Sequence, residues 1–313
     1  MKKYGFGVDV GGTTCKIGLV DLSGILLEKW EVKTDTSNGG QSILKDVAKE
    51  IKNKIHERHI NQEDIIGIGI GVPGPVLNKR IVNRCVNLGW GVVDVADEMK
   101  RLTGFSVKVE NDANLAALGE MWKGSAEGTS NVIMVTLGTG VGAGIVINGN
   151  IVSGSTGAAG EIGHILVNEN ETVSCSCGKK GCLEQYVSAT GIVRMTKDHL
   201  HNYPKSILNK KNNISAKTVF DAAKSGDVCA KAVVEQFGNV LGSALAVVSC
   251  VINPESIVIG GGVSKAGSMI LDAVGKAFYE KTFHACKNAK IALAELGNDA
   301  GIYGGVYLVM ADE

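Results

Sequence analysis

The chain has 313 residues, of which 44% are hydrophobic and 20% charged, and its 32 Lys and Arg balance 32 Asp and Glu. That is length enough for about two domains and too apolar a composition for disorder, with no net field to draw the protein to nucleic acid or an anionic membrane. Its 42 glycines, against 4 prolines, sit in short clusters beside apolar runs and predict tight turns rather than linkers.

The first residues pass directly into a strand-like run without an apolar signal core. The longest apolar stretch, near 244–252, is shorter than the ~20 residues a bilayer requires, so a soluble, cytoplasmic protein is expected. β-Branched and apolar runs between glycine-containing turns predict consecutive strands at 4–10, 15–21 and 25–32. Ile43, Leu44, Val47, Ile51 and Ile55 fall at helical spacing within 41–58. Residues 65–72 read as a buried strand stopped by Pro73-Gly74-Pro75. A helix at 94–102, a strand at 106–110 and a helix at 113–122 follow. The pattern then restarts with a strand at 132–137, a Gly-rich turn and a strand at 144–147. Helices are expected at 185–200, 215–225 and 228–251, then a strand at 256–259, a helix at 269–281, a strand at 291–293 and a last helix from Ala300.

Two segments overlay without gaps, VDVGGTTCKIGLVDLSG from Val8 and VTLGTGVGAGIVINGNI from Val135. Such a repeat predicts two similar α/β halves with a cleft between them. In each copy the turn after the first strand is rich in glycine and threonine: Asp9-Val10-Gly11-Gly12-Thr13-Thr14, and Gly138-Thr139-Gly140-Val141-Gly142. Glycine lets backbone N–H groups close on an anion, threonine adds hydroxyls, and Asp9 is placed to hold Mg2+ through its water shell. Two such turns suit a triphosphate gripped from both sides. The alternative is a pair of hairpin turns that need glycine for positive φ. There is no G-x-x-x-x-G-K-[ST] P-loop, and neither turn opens a helix in the Rossmann manner.

From VDVGGTTCK through GVPGPV, ENDANLAALGE, TLGTGVGAG, GAAGEIGH and CSCGKKGCLEQY to VIGGGVS, the chain resembles the ROK family of sugar kinases and repressors almost end to end. It is most similar to the bacterial ROK glucokinases, including NLGWG at Asn87 to Gly91 and LGEMWKG at Leu118 to Gly124. The resemblance implies an α/β actin/hexokinase-like (ribonuclease H-like) ATPase fold, with two similar lobes around a cleft that closes on substrate. A small N-terminal lobe is expected from residues 1–112 plus 301–313, and a larger C-terminal lobe with a zinc-binding loop from residues 113–300. The implied activity is ATP-dependent phosphorylation of glucose at its 6-hydroxyl. Because family members are commonly dimers, a homodimer is expected.

His164 is followed, after ten residues, by Cys175-Ser176-Cys177-Gly178-Lys179-Lys180-Gly181-Cys182. One imidazole and three thiolates make the Cys3His set of a closed tetrahedral zinc site. Gly178 and Gly181 permit the bends between ligands. Cytosolic thiols stay reduced, so the cluster points to metal rather than disulfide. With all four positions filled by protein the Zn2+ is expected to be structural, and the resemblance implies the same. Cys15, Cys85, Cys229, Cys250 and Cys286 are scattered.

Carboxylates and amides suit sugar hydroxyls. Asn111-Asp112 closes a strand and begins a helix, Glu161 lies three residues before His164, and Glu184 two after Cys182. The metal loop is expected to draw Glu161 and Glu184 together. With one ring nitrogen on zinc, His164 keeps an N–H donor on the other. The resemblance implies that Glu161, His164 and Glu184 bind the sugar near its anomeric end. It implies also that Asn111 and Asp112 bind near the 4- and 6-hydroxyls, and that the Gly74 backbone lies against the sugar. Asp112 is the expected base, orienting the 6-hydroxyl in line with the γ-phosphate and taking its proton. Local sequence alone favours Asp112 as the N-cap before Ala113-Asn114-Leu115; the family resemblance reverses that preference, and the two roles are compatible. Gly260-Gly261-Gly262 follows a strand and precedes a helix, and Gly261 and Gly262 are expected on the nucleotide. In the family this run lines the adenosine pocket, while on sequence alone it is as readily a tight strand-to-helix turn. Lys16 receives no role.

The alternative substrate is another hexose, such as N-acetylmannosamine, since the hydroxyl-binding motifs are shared. A different class is a non-catalytic ROK sensor or repressor. Repressors carry a winged helix-turn-helix before the first phosphate turn. Here eight residues precede Asp9 and the net charge is zero, so no DNA binding is expected.

Overall fold

The computed structural model describes residues 2–311; residues 1, 312 and 313, at the outer ends of the expected N-terminal lobe, lie outside the described residues. Tyr4–Val10 (β1), Thr14–Asp21 (β2) and Leu26–Lys33 (β3) form an antiparallel meander. β1 and β2 are mostly buried and read as near-continuous apolar runs. β3, at the sheet's edge, alternates half-buried with exposed residues. Ile43–Glu57 (α1) buries the stripe Ile43, Leu44, Val47, Ala48, Ile51 and Ile55. Ile65–Val72 (β4) is buried at every residue and runs parallel to β1.

Val76–Leu77 (β5), Ile81–Cys85 (β6) and Trp90–Asp94 (β7) make a small antiparallel sheet absent from the sequence reading. These strands are short, and Asn78, Lys79 and Arg84 take positive φ, which interrupts the alternation that marks a strand. Val95–Thr103 (α2), Val107–Asn111 (β8) and Asp112–Lys123 (α3) follow.

The pattern restarts at Val132–Leu137 (β9) and Val141–Ile147 (β10), with a two-residue strand at Asn150–Ile151 (β11). Next come Glu184–Val187 (α4), Ala189–Leu200 (α5), Ala216–Lys224 (α6), Val228–Ile252 (α7) and Ser256–Gly260 (β12). Ser268–Lys281 (α8), Lys290–Leu293 (β13) and Ala300–Met310 (α9) complete the order. The helix expected over 185–200 is broken at Ser188, which is extended and caps α5 by accepting the Gly191 N–H at 3.0 Å.

The two five-stranded sheets have orders β3-β2-β1-β4-β8 and β11-β10-β9-β12-β13. Each is an antiparallel meander continued by two parallel strands. The repeat legible in the sequence is therefore a repeat of topology. The chain forms two compact units, one of Met1–Ser130, Gly144–Ala159 and Glu295–Glu313, the other of Asn131–Ala143 and Gly160–Ala294. α7 is the one described helix long and apolar enough to cross a membrane. Its Phe237, Leu241 and Leu245 are fully buried in the core of the second unit, as in a core helix.

The first unit reaches past residue 112 because α3 and α9 pack backbone to backbone. A methyl at Gly304 would strike the Leu115 carbonyl, and one at Gly119 the Ala300 carbonyl. On the sheet side, a methyl at Gly7 would strike the Ile302 carbonyl and one at Gly69 the Gly305 carbonyl. Only glycine allows this approach. Glu120 of α3, fully buried, accepts the Ser125, Glu295 and Leu296 N–H groups at 2.9, 3.1 and 2.8 Å and so fixes the segment leading into α9. Gly69→Ala is expected to lower stability by about 2–3 kcal/mol through overpacking, read from urea unfolding midpoints. Gly91→Ala, with nothing within 4 Å of the added carbon, should stay within about 0.5 kcal/mol.

Candidate active site

β1 ends at Asp9-Val10 and turns through Gly11, Gly12 and Thr13 into Thr14. The Gly11 N–H donates to the Thr14 carbonyl at 3.0 Å. Thr34 braces the turn, its hydroxyl donating to the Gly11 carbonyl at 2.7 Å and its N–H to the Thr13 carbonyl at 2.9 Å. The second turn is closed and braced in a similar way, one residue tighter. The Gly138 N–H donates to the Gly140 carbonyl at 3.0 Å, and the start of α5 braces it through Ala189 N–H to Gly138 O (2.8 Å) and Thr190 Oγ1 to Thr139 O (2.9 Å).

None of Gly11, Gly12, Gly138 and Gly140 takes a positive φ, so the hairpin explanation for these glycines is set aside. Packing accounts for two of them: an added Cβ would lie 2.9 Å from Thr14 O at Gly11 and 2.8 Å from Glu184 Oε2 at Gly140. At Gly138 nothing lies within 4 Å, and at Gly12 only Asn87 O at 3.9 Å. The missing side chains there leave open space, which is what close approach by a ligand requires. Asp9 sits opposite Lys16 in the β1–β2 register, with Lys16 Nζ 3.6 Å from Asp9 Oδ2. Burial pushes the Asp9 carboxyl above the ordinary carboxylate range, and Lys16 pulls it part of the way back. Lys16 is thus the ion-pair partner of a candidate site residue. The signal that could have found it is the cross-strand pairing.

At the β8–α3 junction Asn111, not Asp112, is the N-cap. Its Oδ1 accepts the Ala113 N–H at 2.9 Å and the Asn114 N–H at 3.3 Å, and its Nδ2 donates to the Gly74 carbonyl at 3.3 Å. The capping role expected of Asp112 is therefore corrected by one residue. Both side chains suit a cap, and the strand runs one residue further than its pattern indicates. Asp112 is the first helical residue, at the positive end of α3, with its Oδ1 accepting the Ala113 N–H at 2.8 Å. Gly74, Asn111 and Asp112 are thereby brought together.

His164, Cys175, Cys177 and Cys182 place their ligand atoms within 4.8 Å of one another. Cys177 Sγ lies 3.6 Å from Cys182 Sγ, and Cys175 Sγ 3.8 Å from His164 Nδ1. Thiolates bound at about 2.3 Å to a tetrahedral ion lie ~3.8 Å apart, so the set has the right dimensions. The loop turns on itself through Cys175 N–H to Lys179 O (2.7 Å) and Gly178 N–H to Cys175 O (2.9 Å), with Gly178 and Gly181 at φ +84° and +76°. Burial and the neighbouring thiols push the Cys182 thiol up to about 12, whereas the Lys179 N–H lowers Cys177. Three thiols this close resist joint ionisation, and a cation that makes them all thiolates fits the donor set.

Glu184 opens α4 and faces this loop. Its Oε1 accepts Ser176 Oγ at 2.7 Å and Cys175 Sγ at 3.0 Å, and lies 3.9 Å from His164 Nδ1. Burial raises its carboxyl, but the Cys175 and Ser176 hydrogen bonds and His164 more than offset this and hold it below its ordinary value. Glu161 precedes the 3₁₀ turn Ile162–His164, its carbonyl accepting the His164 N–H at 3.1 Å.

Gly138, Thr139 and Gly262 line one cavity of about 480 Å³, walled by Ala216, Phe220, Val263 and Ala266. The α6 residues escaped the sequence reading because their apolar spacing looks like any core-facing helix. Gly261 is a glycine for the fold, with φ +83° and the Leu137 carbonyl 2.5 Å from an added Cβ, whereas Gly262 has nothing within 4 Å.

The cysteine loop is also fastened without its thiols. Glu171, 9% exposed at its side chain, accepts Tyr186 Oη at 2.6 Å, an Arg194 guanidinium N–H at 2.7 Å and the Val173 N–H at 2.9 Å. Arg194 dominates and holds the Glu171 carboxyl at about 2, against an ordinary value of 4.5. A carboxyl lowered in the folded state contributes fully above its unfolded value and progressively less below it. Glu171→Gln is therefore expected to cost about 2 kcal/mol at neutral pH, read by urea unfolding. The gap between wild type and variant should close as the pH falls from 4.5 towards 2, and a gap independent of pH would contradict the assignment.

The chain matches the ROK family model over residues 5–312. A glucokinase of Halalkalibacterium halodurans is 43% identical over 313 residues, covering 98% of this chain and 95% of the relative. A glucokinase of Thermotoga maritima is 34% identical over 310 residues, covering 97% and 96%. The solved structure of a ROK family glucokinase from Streptomyces griseus in complex with glucose and AMPPNP is similar with a TM-score of 0.76 at 32% identity, covering 98% of this chain and 99% of that one. Matched from end to end in sequence and in fold, the chain belongs to the ROK family, alongside the bacterial glucokinases.

Proposed function

We propose that the protein is a glucokinase that transfers the γ-phosphoryl group of ATP to the 6-hydroxyl of glucose, with Asp112 as the base. The observation that carries this reading is the end-to-end similarity to a glucokinase at 43% identity, with Asp112 present at the first turn of α3. Phosphoryl transfer passes through a loose transition state, so positioning and charge neutralisation do most of the catalysis. Asp112 accepts a hydrogen bond from the 6-hydroxyl, points its oxygen in line with the γ-phosphorus and takes its proton as the O–P bond forms and ADP leaves. Asn111 and the Gly74 backbone hold the 4-hydroxyl end of the sugar, and Glu161, His164 and Glu184 hold the anomeric end.

The loop ligands His164, Cys175, Cys177 and Cys182 suit zinc, which supplies fixed geometry there rather than chemistry. His164 directs Nδ1 to the thiols, which leaves Nε2 as the N–H donor to a sugar hydroxyl. Gly11, Gly12, Thr13 and Thr14 and Gly138, Thr139 and Gly140 take the triphosphate. The cavity beside Gly262, with Ala216 and Phe220, takes the adenosine. Asp9 is a half-buried carboxylate whose Lys16 partner only partly offsets its desolvation. It suits Mg2+ held through its water shell, which neutralises phosphate charge when bound. A second copy of the chain is proposed as partner on the family resemblance alone.

In an ADP-release assay with ATP and Mg2+, glucose is expected to turn over faster than mannose or N-acetylmannosamine. Asp112→Asn should lower kcat by about 10²–10⁴ while calorimetry still detects glucose binding. Full turnover by that variant would remove Asp112 from the base role. Cys177→Ser is expected to lose bound zinc and to weaken glucose binding about tenfold or more. Unchanged glucose affinity in the zinc-free variant would show that the loop does not position the sugar ligands.

A further inference from the structure

The reading above leaves unused the carboxylate that immediately precedes the sugar motif. Glu110, the fourth residue of β8, is 1% exposed. Its Oε1 accepts the Asn111 N–H at 2.9 Å and Asn114 Nδ2–H at 3.0 Å, and its Oε2 accepts Ser153 Oγ–H at 3.0 Å. These three donors are neutral. Burying a carboxylate among neutral donors is costly, and an apolar side chain would fill the same space more cheaply. Asn114 is itself 2% exposed, and its Oδ1 has no hydrogen-bond partner. Its amide is therefore oriented by Glu110, since the flipped amide would turn Oδ1 towards Oε1.

The donors come from separate stretches: the β8–α3 junction, the first turn of α3, and the loop after β11. That loop is seated on the residue following Pro75, for a Cβ at Gly157 would lie 2.6 Å from the Val76 carbonyl oxygen and 2.9 Å from its nitrogen. On the other side of Pro75, the Gly74 carbonyl accepts Asn111 Nδ2 at 3.3 Å. The contacts close into a ring that runs from Glu110 to Ser153, along the loop to Gly157, across to Val76, back through Pro75 to Gly74, and over to Asn111. Asn111 is held twice in this ring, its N–H by Glu110 and its side-chain amide by the Gly74 carbonyl.

We propose that Glu110 is a positioning residue. It fixes the peptide between itself and Asn111 and thereby the direction in which Asn111 and Asp112 leave the strand, with Ser153 as its second anchor. The proposal rests on the reading of Asp112 as the base. Misaim of a base disturbs the reacting geometry more than the affinity for either substrate, so the loss falls on kcat.

The test compares Glu110→Leu, Glu110→Gln and Ser153→Ala in the full-length protein, measuring kcat, the KM for glucose and for ATP, and the urea midpoint. Glu110→Leu should lower kcat about 100-fold and leave the KM for ATP within about twofold. Glu110→Gln should recover to within about fivefold of wild type, because its oxygen still accepts the Asn111 N–H while its amide donates to Ser153 Oγ. Ser153→Ala should lower kcat about fivefold. Wild-type kcat in Glu110→Leu, or no recovery in Glu110→Gln, overturns the proposal. Should Glu110→Leu fail to fold, Ser153→Ala decides, and wild-type kcat in that variant overturns it. Full turnover in Asp112→Asn would sink the base reading itself, whereas an inactive Asp112→Asn beside a fully active Glu110→Leu would sink the positioning role alone.

Discussion

Backbone-to-backbone packing of α9 against β1, β4 and α3 is the constraint from which the geometry of the first unit follows. Gly7, Gly69, Gly119 and Gly304 stand where any side chain would collide with a carbonyl on the facing element. The helix therefore lies deeper on the sheet than side-chain packing would allow. β1 carries Asp9 and the first Gly/Thr turn, and β8 and α3 carry Asn111 and Asp112. Strand, helix and turn are locked to one helix as well as to each other through the sheet, so their ends inherit a rigid reference.

The candidate sites share a second device, the buried carboxylate that gathers donors from distant stretches of chain. Glu120 collects the N–H groups ahead of α9, Glu110 the β8–α3 junction and the loop at Ser153, and Glu171 the base of the cysteine loop. Only Glu171 has a cation as a hydrogen-bond partner among these contacts, Arg194 at 2.7 Å. A carboxylate that accepts three or four hydrogen bonds fixes several backbone segments at once, and an apolar side chain of similar size would fix none of them.

Much of this was legible in the chain itself, for identifiable reasons. The C-x-C-x₄-C spacing with His164 upstream is local, and soft ligands at that spacing have few other uses. β1 and β4 are long, uninterrupted apolar runs, and their ends fell where the pattern put them. The sheet of β5, β6 and β7 was hidden because two-to-five-residue strands broken by positive-φ residues carry no period. The cap at Asn111 was misplaced by one because Asn and Asp are near-equal caps. Ser188 breaks a helix whose apolar spacing continues across it. The partnership of Glu110 with Ser153, 43 residues apart, and the α6 wall of the cavity beside Gly262 depend on tertiary packing and leave no trace in local composition. The Gly/Thr turns lay between these cases. Their glycines were visible, but only the backbone angles and the empty space beside Gly12 and Gly138 separate a ligand cradle from a hairpin.

The position of α9 along the chain bears on biosynthesis. The ribosome makes this helix after residues 131–294, which hold the whole of the second unit, so the first sheet emerges long before the element that covers its glycine face. Until then the glycine face of β1 and β4 has no helix against it, while their apolar side chains pack on α1 and α2, which are made earlier. The intervening unit has its own core and can complete first, which makes the order of folding differ from the order of synthesis. A nascent chain with residues up to 294 clear of the ribosome and α9 still inside would hold one finished body and one sheet with an uncovered glycine face, the kind of species that chaperones recognise.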